Sequence, residues 1–188
     1  MKSKHPANTK RKVSPRKSPA FDRLPPLRLA DINAAPGHLI RRAQQIAVAI
    51  FYNELRDWDV SPVQYAAMAA IRAWPGMDQR TLVDNIAIDR STVGSILKGL
   101  EKRRLISRVT PEENQRIKQL YILSAGSQLL DSTRVQIQRV QDQILAPLTA
   151  KERSVFLQYL ARVVHINNKL SRVPLRTTVA EAGAQRPY

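Results

Sequence analysis

Arg90, Ser91, Ser95, Lys98 and Lys102 recur at spacings that set them around the outward side of one helix, with Thr92 and Gly94 at its flanks. Hydroxyl and ammonium groups in that pattern do not break bonds. They exchange hydrogen bonds and neutralise anions. Small polar and basic residues suit a helix that must approach base edges, because bulky side chains would hold it away. Arg103 and Arg104 follow at the helix end, and Arg116 and Lys118 sit in a loop beyond it. Arg116 is the candidate for a minor groove, and Arg103, Arg104 and Lys118 are candidates for phosphate. Which helix residues meet bases and which meet phosphates stays open at this level.

A second set fits a small anion. His38, Arg41, Arg42 and Gln45 fall at i, i+3, i+4 and i+7, giving one helix a cationic face. An arginine fork can hold a carboxylate in a bidentate grip. Trp58, Tyr65 and Met68 offer flat apolar walls, and Arg72 is a further anchor. Each has a plainer alternative: a solvated face for the cations, core packing for the apolar residues, and a charge matched to a helix C-terminus for Arg72. Catalysis has little support. There is no cysteine, and His5, His38 and His165 are scattered without a partner pattern for a triad or a metal. Neither a cofactor nor a metal is expected.

These residues need elements to position them. Val93, Ile96, Leu97 and Leu100 form an apolar stripe that turns one side of helix 90–103 toward a core, with Asp89 as its cap. A helix at 78–87 precedes it, and strands at 105–109 and 120–123 follow, joined by the loop 110–119. Ser61-Pro62 starts a helix over 62–73 that stops at Trp74-Pro75-Gly76. Pro36-Gly37 opens a helix over 37–56. The spacing of Leu130, Thr133, Ile137, Val140 and Ile144 predicts one long helix over 125–145 with a coiled-coil-like seam. Thr149 and Glu152 make a capping box for a last helix whose seam runs Phe156, Leu160, Val163, Asn167, Leu170. Asn167 on that seam either sets register or orientation or is a solvent-edge residue. The fold class is mainly α with a small β-wing: a winged helix–turn–helix plus a helical dimerisation region.

The expected organisation is a disordered basic tail at 1–20, an extended arm and first dimerisation helix at 21–60, a DNA-binding domain at 61–123, dimerisation helices at 124–173 and a frayed end at 174–188. Formal net charge is +16 over 188 residues. The first 23 residues hold eight cations against Asp22 alone, which leaves +9 for the remainder. A balance this basic points to a polyanionic partner. No apolar run is long enough for a bilayer, and no secretory signal opens the chain, so a soluble cytoplasmic protein associated with the bacterial nucleoid is expected. A non-specific architectural nucleic-acid-binding protein is the alternative that the tail and charge also allow.

In combination, Ser61-Pro62-Val63-Gln64-Tyr65, Leu82-Val83-Asp84-Asn85-Ile86, Asp89-Arg90-Ser91-Thr92-Val93, Leu100-Glu101-Lys102-Arg103, Leu105-Ile106-Ser107-Arg108 and Leu123-Ser124-Ala125-Gly126 resemble the MarR family over roughly residues 37–172. In appearance the chain is nearest the branch that represses nicotinate-degradation genes. The family's wing carries Asp-x-Arg where this chain has Asn114-Gln115-Arg116, so a neutral hydrogen bond is left to hold Arg116. Arg104 stands where the family often has a helix-ending glycine, which weakens the expectation of a left-handed cap there. The resemblance implies a homodimer on double-stranded DNA with a pseudo-palindromic operator. It also implies a transcriptional repressor released by a small anionic aromatic acid effector, and no membrane partner.

Overall fold

A computed structural model describes residues 28–176. In chain order it contains α1 (Leu29–Ala34), α2 (Pro36–Glu54), α3 (Pro62–Ala73), α4 (Gln79–Ile86), α5 (Arg90–Lys102), β1 (Ile106–Val109), β2 (Gln119–Ile122), α6 (Ser124–Ser132), α7 (Arg134–Ile144) and α8 (Ala150–Ile166). The chain separates into two units at Ile40/Arg41, within α2. The basic tail 1–20 lies outside the described residues, as do positions 21–27 of the arm and most of the frayed end.

The part of the arm that is described is not extended. Residues 29–34 form α1, because the prolines lie outside this stretch and Asp31 Oδ2 accepts the Arg28 backbone N–H at 3.0 Å. From α3 onward, local caps fix the helix starts. Ser61 accepts from the Gln64 amide, Asp78 from the Thr81 amide at 2.7 Å, Asp89 from the Thr92 amide at 2.9 Å and Thr149 from the Glu152 amide.

The reading head closes on a core of Met68, Ile71, Leu82, Val93, Leu97, Leu100, Ile106 and Leu120, all essentially without solvent exposure. Strands β1 and β2 pair antiparallel with Ile106 opposite Ile122 and Val109 opposite Gln119. A third short edge joins them: Gly76 N–H donates to the Leu120 carbonyl, Leu120 N–H returns to Met77, and Asp78 bridges to Gln119. Gly76 has φ +85°, a left-handed turn that glycine adopts without strain. This edge ties the turn between α3 and α4 to the wing.

The end of α5 corrects the expectation for Arg104. The residue has φ +55°, its N–H donates to Glu101 O, and Leu105 N–H reaches back to Leu100 O. That pair of bonds is a Schellman closure with an arginine in the left-handed position. Buried Leu105 and Leu100 supply its apolar contact.

The long helix expected over 125–145 is broken. Thr133, wholly buried, separates α6 from α7 and donates its hydroxyl to the Leu129 carbonyl at 2.7 Å. A hydroxyl that competes for the carbonyl four residues back bends a helix. The seam itself is used within the chain: Leu130 and Val140 are buried in the same apolar cluster as Phe51 and Leu55. Helix α8 is different, since none of its residues is buried and Phe156, Leu160 and Val163 stand 43%, 39% and 47% exposed. Asn167 does not continue that seam. It lies at the helix end and donates to the Val163 carbonyl at 2.8 Å, and Leu170 sits in a short 3-10 turn beyond. Among the described residues no helix is long and apolar enough to cross a membrane.

Candidate nucleic-acid interface

Helix α5 presents the expected outward face. Arg90, Ser91, Thr92, Ser95, Lys98 and Lys102 are all exposed while Val93, Leu97 and Leu100 hold the other side. The hydroxyls at its start are already engaged. Ser91 Oγ donates to Asp89 Oδ1 at 2.6 Å, and Thr92 Oγ1 donates to Asp89 Oδ2 at 2.6 Å. These bonds, from Ser91 first, hold the Asp89 carboxyl well below the usual carboxylate range. Ser91 and Thr92 therefore keep acceptor lone pairs for a partner, and Ser95 donates back to the Ser91 carbonyl at 3.2 Å. Among the described residues Arg90, Lys98 and Lys102 have no side-chain partner and remain available to an anion.

A cationic cleft of about 290 Å³ opens beside the start of this helix. Arg80 and Gln79 enter from the first turn of α4, Arg90 from the first turn of α5, and Arg116 and Lys118 from the wing loop. Asp78 is the one acid in the lining, and its carboxylate is occupied as the cap of α4. Two helix N-termini and four cations converge there, a setting that favours a phosphate group. Reading along the chain missed Arg80 and Gln79. A cation in the first turn of the helix before the recognition helix was the available signal.

Asn114 does not orient Arg116 as expected. Its Oδ1 accepts from the Arg116 backbone N–H at 3.1 Å, which shapes the loop and leaves the guanidinium exposed. Arg103 is turned aside: its Nη2 lies 3.6 Å from Asp59. The base of the wing is instead braced by an unforeseen pair, Arg108 on β1 and Glu101 on α5. Arg108 Nε donates to Glu101 Oε2 at 2.8 Å and its Nη2 donates to the same oxygen. The Arg108 hydrogen bond draws the Glu101 carboxyl below its ordinary range.

The residues considered for a small anion are not gathered into one cavity. Arg41 and Arg42 are exposed on α2, with Arg41 Nη1 donating to Gln45 Oε1 at 2.9 Å; His38 lies in the first turns of that helix. Met68 is completely buried and is core. Tyr65 is half-buried, edge-on to Phe51 at 6.4 Å, and burial pushes its phenol up while Arg72 opposes the shift. Arg72 does more than cap α3: it pairs with Asp131 on α6 at 2.6 Å, across 59 residues of sequence. Trp58, in the loop between α2 and α3, lines an open cleft of about 730 Å³ with Tyr52 and Gln64.

This geometry has clear relatives. The MarR family model matches residues 60–118. The chain is 27% identical over 135 residues to the HTH-type transcriptional repressor NicR of Pseudomonas putida, covering 71% of this chain and 85% of that one. It is 26% identical over 128 residues to the transcriptional regulator HosA of Escherichia coli, covering 68% and 93%. The PcaV transcriptional regulator of Streptomyces coelicolor, solved in complex with its natural ligand, superposes with a TM-score of 0.67 at 32% identity, over 76% of this chain and 98% of that one. The exposed face of α5, the wing beside it and these likenesses together make the chain a member of the MarR family of winged helix–turn–helix, DNA-binding transcriptional regulators.

Proposed function

We propose that the protein is a homodimeric, sequence-specific repressor whose hold on DNA is released by a small anionic aromatic or heteroaromatic acid. The observation that carries the reading is the cationic cleft of Arg80, Arg90, Arg116 and Lys118 beside the exposed face of α5. In this reading Ser95 and Lys98 face base edges, and the cleft and Lys102 grip the backbone. Residues 61–123 form the reading head, and α8 contributes its bare apolar face to a second copy. The effector reading rests on Arg41, Arg42 and Arg72 as anchors, on Trp58 and Tyr65 as flat walls, and on the resemblance to repressors of nicotinate degradation, which favours a nicotinate-type acid. Release requires an effector that prefers a dimer with mis-spaced recognition helices, so DNA and effector weaken each other's binding equally.

Footprinting tests the DNA half. A short protected pseudo-palindrome, weakened by about 1–3 kcal/mol on Lys98→Ala, supports it, and uniform protection of any duplex contradicts it. For the effector, titration of nicotinate into wild type, Arg41→Ala and Arg72→Ala separates the anchors. Unchanged affinity in a variant removes that residue from the site.

A further inference from the structure

Positions 174–176, expected to fray, are tied down. Asn168, in the 3-10 turn after α8, pairs its side-chain amide with the backbone of Leu175: Nδ2 donates to the Leu175 carbonyl and Oδ1 accepts the Leu175 N–H, both at 2.8 Å. Inside the loop so closed, Ser171 Oγ accepts the Val173 N–H at 3.2 Å and donates to the Val173 carbonyl at 3.0 Å. Pro174 has no N–H to place. The Arg176 N–H then donates to the Asp84 carbonyl at 2.8 Å. Every backbone N–H from 173 to 176 is thus engaged within the protein, whereas a frayed end leaves such groups to water. Asp84 lies in the last turn of α4, where carbonyls lack a partner inside the helix. Ala87, in a left-handed conformation, closes the carbonyl of Val83, and Arg176 closes that of Asp84. Helix α5 begins at Arg90, just past this turn.

We infer that Asn168 is a positioning residue for DNA binding: it holds segment 171–176 as a strap that ties α4, and through its turn α5, to the end of α8. The inference rests on the proposed dimeric reading, in which α8 meets a second copy. None of the α8 residues is buried, so packing within the chain does little to set its angle to the reading head. The strap supplies that restraint. Its bonds run to main-chain groups at both ends, which hold distance more closely than the tips of flexible side chains do. With α8 fixed at the dimer interface, a strap in each protomer sets the separation of the two recognition helices, and that separation has to match the half-site spacing of the operator. Without it, each helix can still enter its own groove, but the pair is no longer held at one spacing.

The test uses the full-length protein. The chain has no cysteine, so Lys102→Cys places a single spin label on α5 of each protomer. Electron double resonance without DNA should give a narrow inter-label distance in the otherwise wild-type protein and a clearly broader distribution on adding Asn168→Ala. Arg176→Pro, which deletes the bonded N–H, should broaden it too, and Arg176→Ala, which keeps that N–H, should not. Amide exchange at Leu175 and Arg176 should quicken roughly tenfold or more in Asn168→Ala, as expected for the loss of both Asn168 bonds. On DNA, the unlabelled Asn168→Ala protein should bind an isolated half-site as wild type does. It should also lose much of the penalty that wild type shows when base pairs are inserted between half-sites. A dimer whose distance stays narrow in Asn168→Ala, unprotected Leu175 and Arg176 amides in wild type, or an unchanged spacing penalty overturns the inference and leaves the repressor reading standing. A wild type that shows no inter-label distance refutes the dimeric reading and this inference together.

Discussion

Replacing Gly126 by alanine should loosen the joint between the wing and α6. Gly126 is buried in the first turn of α6, and a Cβ there would press into the Leu105 carbonyl oxygen. The same Cβ would lie 2.6 Å from Ile122 Cδ1, which is 0.8 Å short of the 3.4 Å at which ordinary contact begins. The Ile122 methyl can rotate away; the carbonyl cannot, because it also accepts the Leu123 N–H at 3.0 Å. Moving α6 back strains that bond. Overpacking costs about 1–3 kcal/mol, and the weakened hydrogen bond adds about 1 kcal/mol. Alanine recovers about 1 kcal/mol over glycine in a helix, so the net loss should be about 2 kcal/mol. Gly99, inside α5 with nothing within 4 Å of its would-be Cβ, is the control: Gly99→Ala should stabilise by about 0.5–1 kcal/mol. Urea denaturation of both variants gives the comparison. A Gly126→Ala protein as stable as wild type, with Gly99→Ala behaving as expected, would refute the packing argument.

Three further outcomes follow from local geometry. Arg104→Gly should raise stability by about 1 kcal/mol, because it relieves a left-handed residue that carries a side chain; chemical denaturation reads this, and DNA affinity should not rise with it. Asp89→Ala should lower the melting temperature through loss of the α5 cap. Since the Asp89 carboxyl titrates lower folded than unfolded, its contribution is present above the ordinary Asp range and fades as pH falls toward the folded value. The gap between wild type and Asp89→Ala should therefore shrink in acid, and a gap constant down to acid unfolding would contradict a charged cap. Leu160→Asp, on the bare face of α8, should leave a monomer by light scattering, since a charge would be buried without a partner in a dimer. An unchanged mass would place the interface elsewhere.

What the chain discloses by reading alone follows the range of the forces involved. Caps such as Ser61, Asp89 and Thr149 act within three residues, so their helices begin where the residue types place them. The buried stripe Val93, Leu97, Leu100 gives the orientation of α5 and, by complement, its outward residues. The break at Thr133 was hidden because a threonine on an apolar seam looks like any seam residue until its hydroxyl finds Leu129. Arg104 was misjudged because residue preference is weak against the closure that Leu100 and Leu105 impose. The place of Arg80 in its cleft and the bond from Arg176 to Asp84 depend on elements brought together from distant parts of the chain, and no spacing encodes that.

Selection from a random pool of duplex DNA tests the central claim most directly. The account predicts enrichment of one pseudo-palindrome whose half-sites are centred about 10 base pairs, one helical turn, apart, with enrichment lost in a Ser95→Ala, Lys98→Ala protein that still folds. A pool that is bound equally at every sequence, by wild type and variant alike, would contradict it.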